Sequence, residues 1–324
     1  MIPYRAPLWL PGGHAQTIYP LLIRPAPLCY QRQRWDTPDG DFIDLDWHLP
    51  PPIDDGSTPP APLLVLFHGL EGSSASHYAI TILRAAAARG WHGVAVNFRG
   101  CSGEANRLPR AYHSGDSVEI DWILRRFRRL DPGRTQYAVG VSLGGNALLK
   151  WLGEQGEAAG DCVHAAAAVS APLDLAACGH HLARGFNRVY TRHFLATLKQ
   201  GAAEKLRRYP GLFDGKRMWA ARNLYQFDDV VTAPLHGFAG ADDYWQRASS
   251  KPWLIGIRRP TLLLNALNDP FLPASALPTA AQVTSAVQLE FPRHGGHVGF
   301  VTGAPPGRLD WLGQRLLDFF QEAT

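Results

Sequence analysis

The 324-residue chain is 46% hydrophobic and 19% charged with a formal net charge of +4, which excludes a disordered chain and leaves no strong basic field for a nucleic acid. Its basic run RRFRRL (Arg125 to Leu130) reads as the solvated face of a helix. Cys29, Cys101, Cys162 and Cys178 lie far apart with no C-x-x-C pair, which excludes a redox motif or a zinc knuckle and fits free thiols in a reducing cytoplasm.

In chain order, MIPYRAPLWLPGGHAQTIYP lacks a charged start followed by an apolar run, and no window approaches the ~20 apolar residues of a membrane helix. A soluble, unprocessed, cytoplasmic protein without an integral membrane span is expected. Cys29 to Pro50 alternates on either side of TPDGD and predicts an antiparallel hairpin at one sheet edge. A proline-rich loop, LPPPIDDGSTPPAP (Leu49 to Pro62), follows. Short apolar runs then recur at Ala61 to Gly69, Trp91 to Gly100, Gln136 to Ser142, His164 to Pro172, Pro260 to Ala266 and Val287 to Gly295. Each ends in glycine or a polar loop, as do strands of a mostly parallel sheet buried on both faces. HYAITILRAAAARG, SVEIDWILRRFRRL and NALLKWLGEQGE, between the runs, carry helical periodicity. Alternating strand and helix predicts a doubly wound α/β sheet. From about Asp174 to Trp253 the rhythm stops and helical stretches alternate with polar loops, as in a helical lid inserted above the sheet. Phe186, Tyr190, Phe194 and Leu198 recur there every four residues, a stripe that either faces an acyl tunnel or packs as core. RLDWLGQRLLDFFQEA closes a single domain, 1–324, as an amphipathic helix.

The chemistry centres on Gly140-x-Ser142-x-Gly144, a nucleophile elbow: a serine in a strained turn between strand QYAVGVS and helix LGGNALLKW, with glycines letting the two approach. A serine hydroxyl needs a histidine base oriented by a carboxylate, in the chain order Ser, Asp/Glu, His. Asp269, just past a strand, and His297, past the last one, meet that order. His294 is the rival base, read as a wall residue. Glu290 is the rival acid, read as facing the side of a strand. His294 and His297 have no carboxylate or cysteine at ligand spacing, so no metal or cofactor is implied. The backbone N–H groups of Leu143 and of Leu70, in FHGLEGSS, are the candidate oxyanion donors. Asp242 and Asp243 read as surface charges or lid contacts, and Gly179 to His181 as a lid loop.

PLWLPGGHAQTIYP, FHGLEGSS, NFRGCSG, YHSGDS, GVSLGGN, FDDVVTAPLHGF and GGHVGF together resemble the YheT-like (type 4) family of α/β-hydrolases from about Pro7 to Phe319. The resemblance implies an α/β-hydrolase fold and an esterase-type hydrolase, cytoplasmic or membrane-peripheral, acting on short- to medium-chain or lipid-like acyl esters through Ser142, Asp269 and His297, with peripheral lipid contact allowed. Alcohol acyltransferases of the wider family share that triad and are the alternative. A non-catalytic ligand-binding protein is the reading from another class. Of the remaining motifs, GGHAQTI (Gly12 to Ile18) either packs beside the active-site mouth or, the preferred reading, anchors the N-terminal arm, and YHSGDS (Tyr112 to Ser117) is read as a helix start capped by Asp116 or Ser114. FDDVVTAPLHGF (Phe227 to Phe238) is read as latching the lid to the core.

Overall fold

A computed structural model describes residues 3–23, 25–50 and 60–323. Most of the proline-rich stretch 49–62 therefore lies outside the described residues. The hairpin forms as β1 (Gln31–Asp36) and β2 (Phe42–His48), antiparallel with Asp36 opposite Phe42 across the turn. The apolar runs become β3 (Leu63–Phe67), β4 (His92–Asn97), β5 (Gln136–Val141), β6 (Ala165–Val169), β7 (Thr261–Leu264) and β8 (Val287–Glu290). One sheet joins them in the order β1-β2-β4-β3-β5-β6-β7-β8, parallel from β4 onward, with the hairpin at one edge as expected.

Strand side chains alternate between two buried faces, which is why the runs are continuously apolar. Leu63, Val65 and Phe67 pack with α3 (Ser117–Leu130) and α4 (Leu143–Gln155). Leu64 and Leu66 pack with α2 (His77–Ala88) and α11 (Asp310–Glu322) on the other side. RRFRRL does its work locally. Arg125 pairs with Asp121 at 2.8 Å, Arg126 lies over the Trp35 ring at 4.3 Å, and Arg128 donates to the Asp161, Pro132 and Arg134 carbonyls.

Two further elements bear on the site. A short N-terminal helix, α1 (Gly13–Ile18), precedes the hairpin. Between β6 and β7 the chain is helical: α5 (Leu175–Leu182), α6 (Arg188–Arg208), α7 (Gly215–Ala220), α8 (Leu224–Phe227), a π-helical turn (Asp228–Thr232), α9 (Ala233–His236) and α10 (Ala241–Ala248). Gly179 to His181, read as a loop, lies inside α5, where Gly179 admits the Trp245 ring; a Cβ there would stand 2.7 Å from its Cζ2. Asn146 of α4 ties the end of this region down, donating to Ala248 O at 2.8 Å and accepting from Ser250 N–H at 2.9 Å.

Candidate active site

Ser142 is the hinge between β5 and α4 and holds φ 51°, a left-handed conformation that a non-glycine residue adopts only when its surroundings impose it. The flanking glycines have a steric reason. A Cβ on Gly144 would stand 2.5 Å from Phe67 O, and one on Gly140 would stand 2.6 Å from Gly145 Cα. Ser142 N–H donates to Val169 O at 2.8 Å and Gly144 N–H to His68 O at 3.2 Å, which pins the turn to β6 and to the end of β3.

The structure brings Ser142, His297 and Asp269 into one hydrogen-bonded chain. Ser142 Oγ donates to His297 Nε2 at 3.0 Å, and His297 Nδ1–H donates to Asp269 Oδ2 at 2.8 Å, the roles that fit a neutral imidazole. Asp269 Oδ1 accepts Phe271 N–H at 2.8 Å, and its side chain is fully buried. Phe271 stacks on the imidazole with centroids 4.0 Å apart. The rivals lie elsewhere. Glu290 ends β8 and pairs with Arg315 of α11 at 2.7 Å. His294, read as a wall residue, is instead exposed and lines a groove with Tyr4 and Arg5 rather than the cavities at Ser142.

Leu143 is the first residue of α4, so its N–H belongs to the first turn, where no intrahelical acceptor exists. Leu70 sits between two amides already in use: Gly69 N–H donates to Tyr78 Oη and Glu71 N–H to Tyr112 Oη, both at 2.8 Å, with Glu71 at φ 54°. His68 fixes the start of this loop. Its Nδ1–H donates to Gly69 O at 2.7 Å and its Nε2 accepts Phe98 N–H at 3.0 Å. Complete burial pushes its pKa down to about 4.

What the sequence left open is how α1 meets the loops that carry His297 and Asp269. Thr17 Oγ1 accepts His297 N–H at 2.8 Å and donates to Gly13 O at 2.7 Å. Gln16 Oε1 accepts Gly295 N–H at 2.7 Å and Asn268 Nδ2–H at 3.2 Å, while Asn268 Oδ1 accepts Gly296 N–H at 3.0 Å. GGHAQTI anchors the arm on the loops of His297 and Asp269, and its Thr17 and Ile18 also line the cleft that opens on Ser142. A Cβ on Gly13 would collide with the Asn268 carbonyl, so this motif was the available signal. YHSGDS also departs from its reading. Asp116 stands at the N-cap of α3 without a side-chain cap bond, because Arg110 takes its carboxylate at 2.7 and 2.9 Å.

Two spaces meet at Ser142. A cavity of about 250 Å³ runs under the helical region, and an open cleft of about 1270 Å³ runs toward α1 and the loop before α2. Both are lined by Leu70, Glu71, Ser142, Phe194, Phe271 and His297. Of the four-residue stripe, Phe194 and Leu198 of α6 line the cavity, and Tyr190 and Phe194 pack on Phe271. Phe186 precedes α6, is 54% exposed, and packs on His14 instead. Asp242 accepts from Tyr225 Oη at 2.8 Å and Asp243 from Arg247 at 3.1 Å. Phe227 to Phe238 does reach the core, where His236 and Phe238 pack on His113.

A strained serine between a parallel strand and a helix, hydrogen-bonded to a histidine and through it to a carboxylate, defines a hydrolase-type site on an α/β sheet. The family model of the alpha/beta hydrolase fold matches residues 62–304. "Putative esterase YheT" of Escherichia coli (strain K12) is 42% identical over 309 residues, 94% of this chain and 89% of that one. "Phospholipase ABHD3" of Mus musculus is 30% identical over 324 residues, 98% of this chain and 78% of its own. The solved esterase EaEST from Exiguobacterium antarcticum shares the fold at a TM-score of 0.58 and 14% identity, covering 90% of this chain and 100% of its own. The chain belongs to the alpha/beta hydrolase family, in its YheT-like branch. Among the described residues, no helix is long and apolar enough to cross a membrane.

Proposed function

We propose that the protein is a serine carboxylesterase-type hydrolase of acyl esters, with Ser142 as nucleophile, His297 as base and Asp269 as its orienting acid. The observation that carries this reading is the Ser142–His297–Asp269 hydrogen-bond chain, with Ser142 held at φ 51°. Ser142 Oγ attacks the ester carbonyl as its proton passes to His297 Nε2, and the N–H groups of Leu70 and Leu143 receive the oxyanion. Collapse expels the alcohol, which takes the proton from His297. A water molecule, giving a proton to His297, then attacks the acyl-enzyme, and the acid leaves with Ser142 restored. Asp269 stabilises the imidazolium in both halves. The esterase and phospholipase names of the two relatives support an ester substrate.

The helices from Asp174 to Trp253 act as a lid over the acyl group, which occupies the apolar cavity, while the alcohol occupies the open cleft. That cleft is wide enough to admit an acceptor alcohol, which favours acyl transfer as the second reading; adding an alcohol to the assay and looking for the new ester separates the two. The main test is covalent labelling. A fluorophosphonate probe is expected to modify Ser142, and labelling that survives in Ser142→Ala defeats the proposal.

A further inference from the structure

The segment Phe227 to Phe238 latches the insertion, yet its composition exceeds that task. Along the helical run from α8 through the π-turn to α9, two stripes of spacing four face the cavity beside Ser142. Phe227, Val231 and Leu235 form an apolar stripe, and Asp228, Thr232 and His236 a polar one. A π-turn widens the helix at Asp228, and such turns concentrate at functional sites. Buried polar atoms along such a stripe are unfavourable unless something in the cavity satisfies them.

The stripe is incompletely satisfied. The Asp228 carboxylate accepts Thr232 Oγ1–H at 2.6 Å and Trp245 Nε1–H at 2.8 Å, but forms no ion pair among the described residues. Burial pushes its pKa up to about 6. His236 Nε2 is buried with no hydrogen-bond partner among the described residues, and burial, with His113 alongside, pushes its pKa down to about 3. Thr232 donates to Asp228 and keeps lone pairs free. Asp228 and Thr232 present acceptor lone pairs, and the imidazole nitrogen of His236 donates or accepts according to its tautomer, so the matching group is one that donates and can also accept. Arg99 and Lys205 line the same cavity and oppose a second cation, while Asp228 opposes an anion, which leaves a neutral hydroxyl.

We propose that this wall is a subsite for a hydroxyl group carried along the acyl chain, which donates to Asp228 with Thr232 Oγ1 and His236 Nε2 beside it. The substrate class is then hydroxyacyl esters rather than plain alkanoyl esters, an inference that rests on the acyl group occupying this cavity during ester hydrolysis.

The test compares p-nitrophenyl octanoate with p-nitrophenyl octanoates hydroxylated in the distal half of the chain. At least one hydroxylated ester is expected to exceed the plain ester in kcat/KM by roughly tenfold, the scale of one hydrogen bond to a buried charged group. The ratio is expected to fall toward unity in Asp228→Asn and in His236→Phe, with melting temperatures confirming that each variant is folded. A preference for the plain ester over every hydroxylated one, or a ratio that survives both substitutions, overturns the subsite. If no ester is turned over, the hydrolase reading fails separately, and Ser142→Ala with the free acids decides the subsite. A larger rise in melting temperature with a hydroxyoctanoic acid than with octanoic acid supports it, and an equal or smaller rise overturns it.

Discussion

Asp269 and Glu290 are both acids near the carboxyl edge of the sheet, and their partners assign them opposite duties. Asp269 meets the histidine, whereas Glu290 neutralises Arg315, which is 2% exposed. Asp269→Asn is expected to lower kcat at least about 10²-fold, since a comparable change in a serine protease costs about 10⁴-fold. Glu290→Gln is expected to keep kcat and lose thermal stability by leaving a buried guanidinium unpaired, which thermal unfolding measures. The reverse pattern would move the acid to Glu290. Thr17 touches His297, the proposed base, only through its backbone N–H and so acts as a positioning residue. Thr17→Val keeps the volume but leaves His297 N–H without its acceptor, a penalty of about 1–3 kcal/mol for a buried donor. We expect kcat to fall about tenfold with KM little changed, and Thr17→Ser to restore it. A loss confined to melting temperature would leave Thr17 a scaffold residue.

At the scale of elements, α6 stands between the cavity and the base: Phe194 packs on Phe271, whose ring lies on His297. Phe194→Ala is expected to shift the acyl-length profile toward longer or bulkier chains, and an unchanged profile in the folded variant would make the stripe ordinary packing. The strands were legible because burial on both faces leaves a continuous apolar run, as in Leu63 to Phe67. The elbow was legible because its glycines have no substitute. The interior of the insertion was harder to read. Gly179, His180 and His181 are poor helix formers, and α5 includes them because Trp245 packs over the glycine. Asp116 looked like a cap, and only the fold brings Arg110 to compete for it. The brace of Thr17 on His297 was signalled only by the GGHAQTI motif, because its partners lie 280 residues apart in the chain.

For the molecule as a whole, buried neutral histidines set the response to acid. Burial lowers His68 to about 4 and His236 to about 3, and lowers His77 and His113 as well. Their folded pKa values lie below the unfolded one, so their contribution is intact above about pH 6.5 and is lost as pH falls through the folded values. Asp228, raised to about 6, and Glu119, raised to about 7, act with the opposite sign and offset part of the loss. The melting temperature is expected to fall between about pH 7 and pH 4, and His236→Phe to flatten that fall. A melting temperature that stays level or rises toward pH 4 would mean that the two carboxyls outweigh the histidines.

The closure of the N-terminal arm onto the last loops also orders events during synthesis. Tyr4 Oη reaches Val301 O, Trp9 Nε1 reaches Gly303 O and Tyr19 Oη reaches Pro306 O, so the arm docks on segments made nearly 300 residues after it. At roughly 5–20 residues per second, the arm waits on the order of tens of seconds for these partners. The sheet through β7 can be assembled in that interval, while Ser142 still lacks its hydrogen-bond partner His297. Ser142, His297 and Thr17 can therefore meet only after the loop of His297 has been made.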